Sequence, residues 1–278
     1  MFSNLPIVQN LVGEKPIITD DLYIENQIRE IIEWENEEPS VVEKGLSKLM
    51  GWSSFTAKVI PEVIVQEAIS RACDLGKMMT GKKDILREAN VRSIEELQHK
   101  DLRLSDTLAD SVHNWAIGIA GSEGLATGIG GTATIIADIG IVITLAFRSI
   151  HKIAMCYGYE VNTDAEKKFV LDILSVSSAN TLRERKEALI ALRSRIMQRK
   201  MMEEILMSSL IKKLAKQLGI NLTKRKAMQL IPVVGAGIGA AVNASYMRDV
   251  IWSARRTYQK RWIADNGYIL DSEIKLNN

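Results

Sequence analysis

The sequence predicts an all-α fold, a single compact helical bundle with two central glycine-rich apolar helices packed together. Three observations carry that expectation. The 278 residues include only five prolines, at Pro6, Pro16, Pro39, Pro61 and Pro232, so about 170 consecutive positions are free of the residue that most disrupts a helix. No run alternates apolar and polar residues with period two, and no Asn-Gly or Asp-Gly pair joins two β-branched strings; the Asn266-Gly267 pair near the C-terminus suits a helix end or a small turn. The composition, 46% hydrophobic and 25% charged, is that of an ordinary globular chain able to bury a sizeable core, which excludes a disordered or fibrous protein.

The elements follow in order. Residues 1–19, with Pro6, Gly13 and Pro16, read as an irregular arm. Asp20 or Asp21 caps a helix to about Glu38, its apolar stripe built from Leu22, Ile24, Ile28, Ile31, Ile32 and Trp34. Pro39-Ser40 breaks it, and a second helix runs through Leu46, Leu49 and Met50. Pro61 opens another to about Met79, with Val63, Ile64, Ala68, Ala72 and Leu75 on one side. Ser93-Ile94-Glu95-Glu96 has the form of a capping box and starts a short helix, followed by one from about Asp101 to Ile119. Residues 164–226 divide into three amphipathic helices, capped at Thr163 or Asn162 and broken near 177–180 and 219–221. The expected organisation is the arm, one helical domain over 20–265 with an acidic subregion at about 20–60, and a tail at 266–278.

Charge is segregated behind a small total. Lys and Arg number 36 against 34 Asp and Glu, a net charge of +2, too small to point to nucleic acid as a partner. Yet the first 50 residues carry ten acidic and four basic side chains, whereas Arg183–Lys226 carries thirteen basic and four acidic. The cations Arg199, Lys200, Lys212, Lys213, Lys216, Lys224, Arg225 and Lys226 in that region form one candidate contact with an anionic surface. Arg255, Arg256, Lys260 and Arg261 on the last helix, interleaved with Trp252, Tyr258 and Trp262, form another.

Between these regions charge falls away. Gly124–Phe147 holds one ionisable residue, Asp138, and Leu230–Met247 holds no charged side chain. Gly124 and Gly128, like Gly235 and Gly239, stand four apart, a spacing that lets another backbone approach one helix face closely. The expected result is two central helices, near 124–157 and 230–260, mated to each other. Length alone would let the first stretch span a bilayer, but Asp138 near its middle argues against permanent insertion.

These same stretches resemble a known family. Ser93-Ile-Glu-Glu-Leu97, then Asp138-Ile-Gly140, Leu145-Ala-Phe-Arg148-Ser-Ile150 and Ile153-Ala-Met-Cys-Tyr157-Gly158-Tyr159, look like one signature of the EcsC protein family. Ile231-Pro232-Val-Val-Gly235 through Gly239, Asn243 and Tyr246-Met-Arg248 resembles the other, and the Trp34 to Pro39 opening fits the N-terminal pattern. The similarity covers about residues 25–262. Gly140 departs from it, standing where the family pattern has proline. The resemblance implies a bacterial protein named for a gene beside an ABC transporter. It implies no established reaction and no catalytic residue.

Residue chemistry gives a candidate buried polar site of Asp138, Arg148, Asn243 and Arg248. Asp138 reads either as a cap or ion-pair partner, with Arg148 or Arg248 opposite, or as a desolvated carboxylate able to act as acid, base or ligand. Arg148 and Arg248 each end an apolar helix, where the helix dipole favours a cation; they either terminate at the surface or share a site for an anionic head group. Asp106, Asp110 and His113 share a helical face, but carboxylates so spaced usually face solvent, and no metal or cofactor is expected. Ser111 and His113 diverge on a helix and make a poor nucleophile–base pair. No secretory signal opens the chain, and two cysteines, Cys73 and Cys156, suit a reducing compartment.

The reading is a non-enzymatic protein at the inner face of the cell membrane. Its partner would be anionic lipid or a membrane protein, an ABC transporter among the candidates. The alternatives are an enzyme holding a lipid or other apolar substrate between the central helices, and an interaction module in a stress or defence system.

Overall fold

The computed structural model describes residues 19–37, 60–75, 81–127, 132–197, 206–229 and 235–268, and among these residues there are α-helices, one 3₁₀ turn and no strand. The helices are α1 (Thr19–Asn36), α2 (Glu62–Leu75), α3 (Lys82–Ala89), α4 (Leu102–Thr127), α5 (Thr132–Cys156), α6 (Asp164–Ser177), α7 (Leu182–Met197), α8 (Met207–Gln229) and α9 (Gly235–Asp265), with the 3₁₀ turn at Glu95–His99. The expected helix through Leu46–Met50 and the arm at 1–18 lie outside the described residues, as do Gly128, Arg199 and Lys200.

The 31-residue α9, about 46 Å long, is the axis of the bundle. It packs most extensively along α4, then against α5, α6 and α8, and carries α1 on its remaining side. α2 bridges α5 and α8, while α6 packs on α7 and α8. The expected packing of the two central helices therefore occurs, as α5 against α9. One correction applies: the first segment is divided between two helices. Gly124 belongs to the end of α4, and α5 begins at Thr132, so 124–157 is not one helix.

α5 is buried on almost every side from Ile139 onward, with Ile143, Ala146, Phe147, Ile150, Ile153 and Ala154 in the core. Its window Ile139–Cys156 has a mean hydropathy of 1.5 and is 67% buried within the bundle. Among the described residues it is the one helix long and apolar enough to cross a membrane; here neighbouring helices cover it instead.

Helix ends follow local chemistry. Thr163 caps α6, its hydroxyl accepting the Glu166 N–H at 3.2 Å. Three C-termini close with the same pair of backbone bonds around a left-handed residue: Asn90 after α3, Gly158 after α5 and Gly267 after α9. At Gly158 (φ 89°) the Tyr159 N–H reaches the Ala154 carbonyl at 2.9 Å and the Gly158 N–H reaches Met155 at 3.0 Å. The Ser93 box forms only by half: the Glu96 carboxylate accepts the Arg92 and Ser93 N–H groups, each at 3.0 Å, and the turn that follows is 3₁₀. The predicted break at 219–221 does not occur; α8 runs through Gly219, which lies against the Ile60 carbonyl where the chain enters α2. The break falls instead between α7 and α8.

Candidate functional site: a buried polar network

The inner face of α9 holds polar side chains where a bundle core would ordinarily be apolar. Arg255, Arg256, Gln259, Lys260 and Arg261 are all buried, with Lys260 at 3% exposure and Gln259 at 0%. Burying an unpaired charge costs several kcal/mol, so each cation must meet an anion, and the fold supplies one from three different helices. From α1, Glu30 takes Arg256 at 2.5 Å and Glu35 takes Lys260 at 2.9 Å. From α4, Asp110 takes Arg255. From the first turn of α6, Glu166 takes Arg261 through two bonds of 2.6 and 2.7 Å.

This overturns the expectation that Arg255, Arg256, Lys260 and Arg261 form an exposed cationic surface. Two of the four are neutralised by the acidic first helix itself. The physical reason is enclosure: every position of α9 from Ser253 to Ile263 is buried by its neighbours, so that stretch has no solvated face on which to place a cation.

Asp106, 2% exposed, sits at the node. It accepts hydrogen bonds from the Tyr23 hydroxyl at 2.6 Å, the Tyr157 hydroxyl at 2.5 Å and the Gln259 amide at 2.8 and 2.9 Å, and Arg255 Nε lies 3.8 Å away. The Gln259 amide also donates to Gln27 at 2.9 Å, while Arg256 donates to both glutamines at 3.0 and 2.8 Å. Burial pushes the Asp106 carboxyl above its ordinary range in spite of these donors, and burial beside Asp106 raises both tyrosines well above theirs. Glu35 is the counter-case. Burial alone would raise it, but the Lys260 and Arg193 charges beside it hold its carboxyl below the usual range.

The network is a spine tying α1 to α9. Tyr23, Gln27 and Glu30 lie at helical spacing along α1 beside its apolar row of Ile24, Ile28 and Ile31. At the end of α1, Arg185 from α7 donates at 2.8 Å to the Trp34 carbonyl, which also accepts the Glu37 N–H at 3.2 Å, and lies over the Trp34 ring. Reading α1 by its apolar stripe alone missed this second row; the available signal was the 4- and 3-residue spacing of Tyr23, Gln27 and Glu30.

The other candidate residues scatter. Asp138 lies on α5 and Asn243 on α9, with their side chains outside the description, as are those of Gly235, Gly239, Lys224, Arg225 and Lys226 on their helices. Arg248 is exposed on α9 and bears on His113, whereas Arg148 lies over the Trp115 ring at 4.8 Å. Asp106 and Asp110 both turn toward Arg255, and His113 packs edge-on against Trp252 at 5.7 Å. Among the described residues no three of His, Cys, Asp and Glu converge as a metal site. Lys212, Lys213 and Lys216 are exposed on α8.

A family model described as the EcsC protein family matches residues 25–263. The chain is also similar to an uncharacterized protein, YdbA, of Bacillus subtilis (strain 168), at 28% identity over 272 residues, covering 88% of this chain and 94% of the relative. No solved structure matches.

Proposed function

Because the chain belongs to the EcsC protein family, which brings no reaction with it, we propose a function from its surface: a peripheral, non-enzymatic protein that meets anionic phospholipid through α8. The observation that carries this reading is the uneven treatment of cations. The buried cations of α9 are matched with carboxylates, while Lys212, Lys213 and Lys216 stand exposed and form no ion pair with a described residue. From Met207 to Gln229 α8 has six basic residues and no acidic one. Its opposite face is anchored by Leu214, Ala215, Leu218 and Leu222, so the lysines are held outward. Ile220, 39% exposed, lies one turn beyond Lys216 on the same face, and Leu206, 68% exposed, precedes the helix. A basic face bearing exposed aliphatic groups suits a lipid headgroup region better than bulk water.

Each lysine near an anionic bilayer contributes about 1 kcal/mol, so three contribute about 3 kcal/mol, roughly a hundredfold in affinity. Sedimentation with vesicles tests the reading. The full chain should pellet with phosphatidylcholine–phosphatidylglycerol vesicles, less so as salt rises, and remain in solution with phosphatidylcholine alone. Lys212→Glu/Lys213→Glu/Lys216→Glu should abolish pelleting. Equal, negligible pelleting with both lipids would end the proposal. Retention only on native membranes, sensitive to protease treatment of those membranes, would replace lipid by a membrane protein.

A further inference from the structure

A second cationic feature lies away from α8, on α5. Arg148 and Lys152 stand one helical turn apart and cover the same indole, with the guanidinium carbon 4.8 Å and the ammonium nitrogen 4.0 Å from the centre of the Trp115 ring. Both are partly buried. Neither forms an ion pair with a described residue, and Arg148 Nε is enclosed with no hydrogen-bond partner. One neighbouring carboxylate, Asp84, binds Arg87 at 3.0 Å and also attracts the Lys152 ammonium, and Glu88 accepts from the Ser111 hydroxyl at 3.3 Å. The lysine arm lies against Gly81, where a Cβ would stand 3.2 Å from Lys152 Cε.

Two like charges at this spacing repel, and half-burial adds to the cost. Burial, followed by the Arg148 charge, pulls the Lys152 ammonium below its ordinary range. The indole face offsets part of this repulsion, but neither cation has an ion-pair partner among the described residues, in a protein that matches the buried cations of α9 with carboxylates. A doubly charged oxyanion would relieve the repulsion: the planar guanidinium offers paired N–H donors, the ammonium supplies a point charge, and the indole keeps water from one side.

We propose that Arg148 and Lys152, backed by Trp115, bind a phosphate-type oxyanion, supplied either as free phosphate or as the phosphate head group of a lipid. The site is independent of the α8 reading, since α2 lies between the two helices. From Ile139 onward the solvent-reaching side chains of α5, namely Ile141, Thr144, Arg148 and Lys152, fall on one stripe. Ile141, 44% exposed and two turns from Arg148, gives an acyl chain an apolar surface if the source is lipid.

The test uses the full chain and the variant Arg148→Gln/Lys152→Gln. Thermal unfolding is followed with inorganic phosphate at constant ionic strength, and co-sedimentation with vesicles of phosphatidylcholine with and without phosphatidic acid. Without ligand the double variant should unfold within a few degrees of the parent, because the repulsion removed is offset by the lost contacts with the indole. At tenfold excess over Kd, phosphate should raise the parent's Tm by about 3 °C and leave the variant's unchanged. That result identifies the free ion as the source. Binding only to phosphatidic acid, lost in the double variant and kept in Lys212→Gln/Lys213→Gln/Lys216→Gln, identifies the lipid. Identical behaviour of parent and double variant toward both probes overturns the site. If the double variant does not fold, Lys152→Met, which keeps contact with the indole and removes the charge, makes the same comparison.

Discussion

Lys260 on the last helix and Glu35 on the first, 225 positions apart, meet at 2.9 Å with side chains only 4% and 6% exposed. Arg193 of α7 binds the other oxygen of the same carboxylate. One glutamate therefore fastens the first helix to two others, and Lys260, unlike the partly exposed Arg193, has no water to fall back on.

Replacing Glu35 by Ala should destabilise the protein by about 3–5 kcal/mol, because it removes the carboxylate shared by the buried Lys260 and by Arg193. Urea denaturation would read this as a lower midpoint at an unchanged slope. A loss under about 1 kcal/mol would mean that the pair contributes little to holding α1.

The same pair sets an acid limit. Glu35 has its folded-state pKa below its unfolded value, so its contribution is present above the unfolded value of about 4.3 and is lost as pH falls through the folded one. Asp106, with a raised pKa, has the opposite sign: its contribution is present at low pH and is lost as pH rises through its folded value. Stability measured against pH should fall steeply below about pH 4, and Glu35→Gln should flatten that limb while Asp106→Asn should not.

Gly158 and Gly267 both close helices at positive φ, of 89° and 84°, but their surroundings differ. A Cβ at Gly158 would stand 2.5 Å from the Gln98 backbone nitrogen, whereas nothing lies within 4 Å at Gly267. Gly267→Ala should cost about 1 kcal/mol from strain alone, and Gly158→Ala clearly more, at least 2 kcal/mol, because backbone must move. Calorimetric Tm values for the two variants give the comparison.

Gly219→Ala should stabilise. Its Cβ would meet the Ile60 carbonyl oxygen at 3.6 Å and Val65 Cγ2 at 3.8 Å, ordinary contact distances, and the helix interior gains about 0.5–1 kcal/mol from alanine. A fall in Tm would show that the junction between α8 and the start of α2 is tighter than these distances imply.

Capping separates two superficially similar sites. Thr163→Ala should cost about 1 kcal/mol, since the hydroxyl serves the Glu166 N–H. Ser93→Ala should be nearly neutral and Glu96→Ala costly, because the carboxylate, not the serine hydroxyl, satisfies the two N–H groups there.

Much of the fold was legible in the chain itself, and for local reasons. Sparse prolines and helical apolar spacing identified an all-α protein, Thr163 announced the start of α6, Asn266-Gly267 announced the end of α9, and the low charge before Phe147 announced the buried part of α5 from Ile139. The motifs at 93–97, 138–159 and 231–248 were enough to name the family. Each of these signals acts within a few residues of itself. The failures came where distance decided: Gly219 did not break α8, because a helix interior tolerates one glycine when a neighbouring segment packs against it.

The cations illustrate the division most sharply. By itself the sequence determined how many there are, on which helices they lie, and that the first helix is acidic. Tertiary structure alone decided that Arg256 and Lys260 face Glu30 and Glu35 inside the molecule while Lys212, Lys213 and Lys216 face outward. The physical reason is desolvation: a charge has the same identity in any sequence, but whether it meets water or a carboxylate depends on which helix is laid over it.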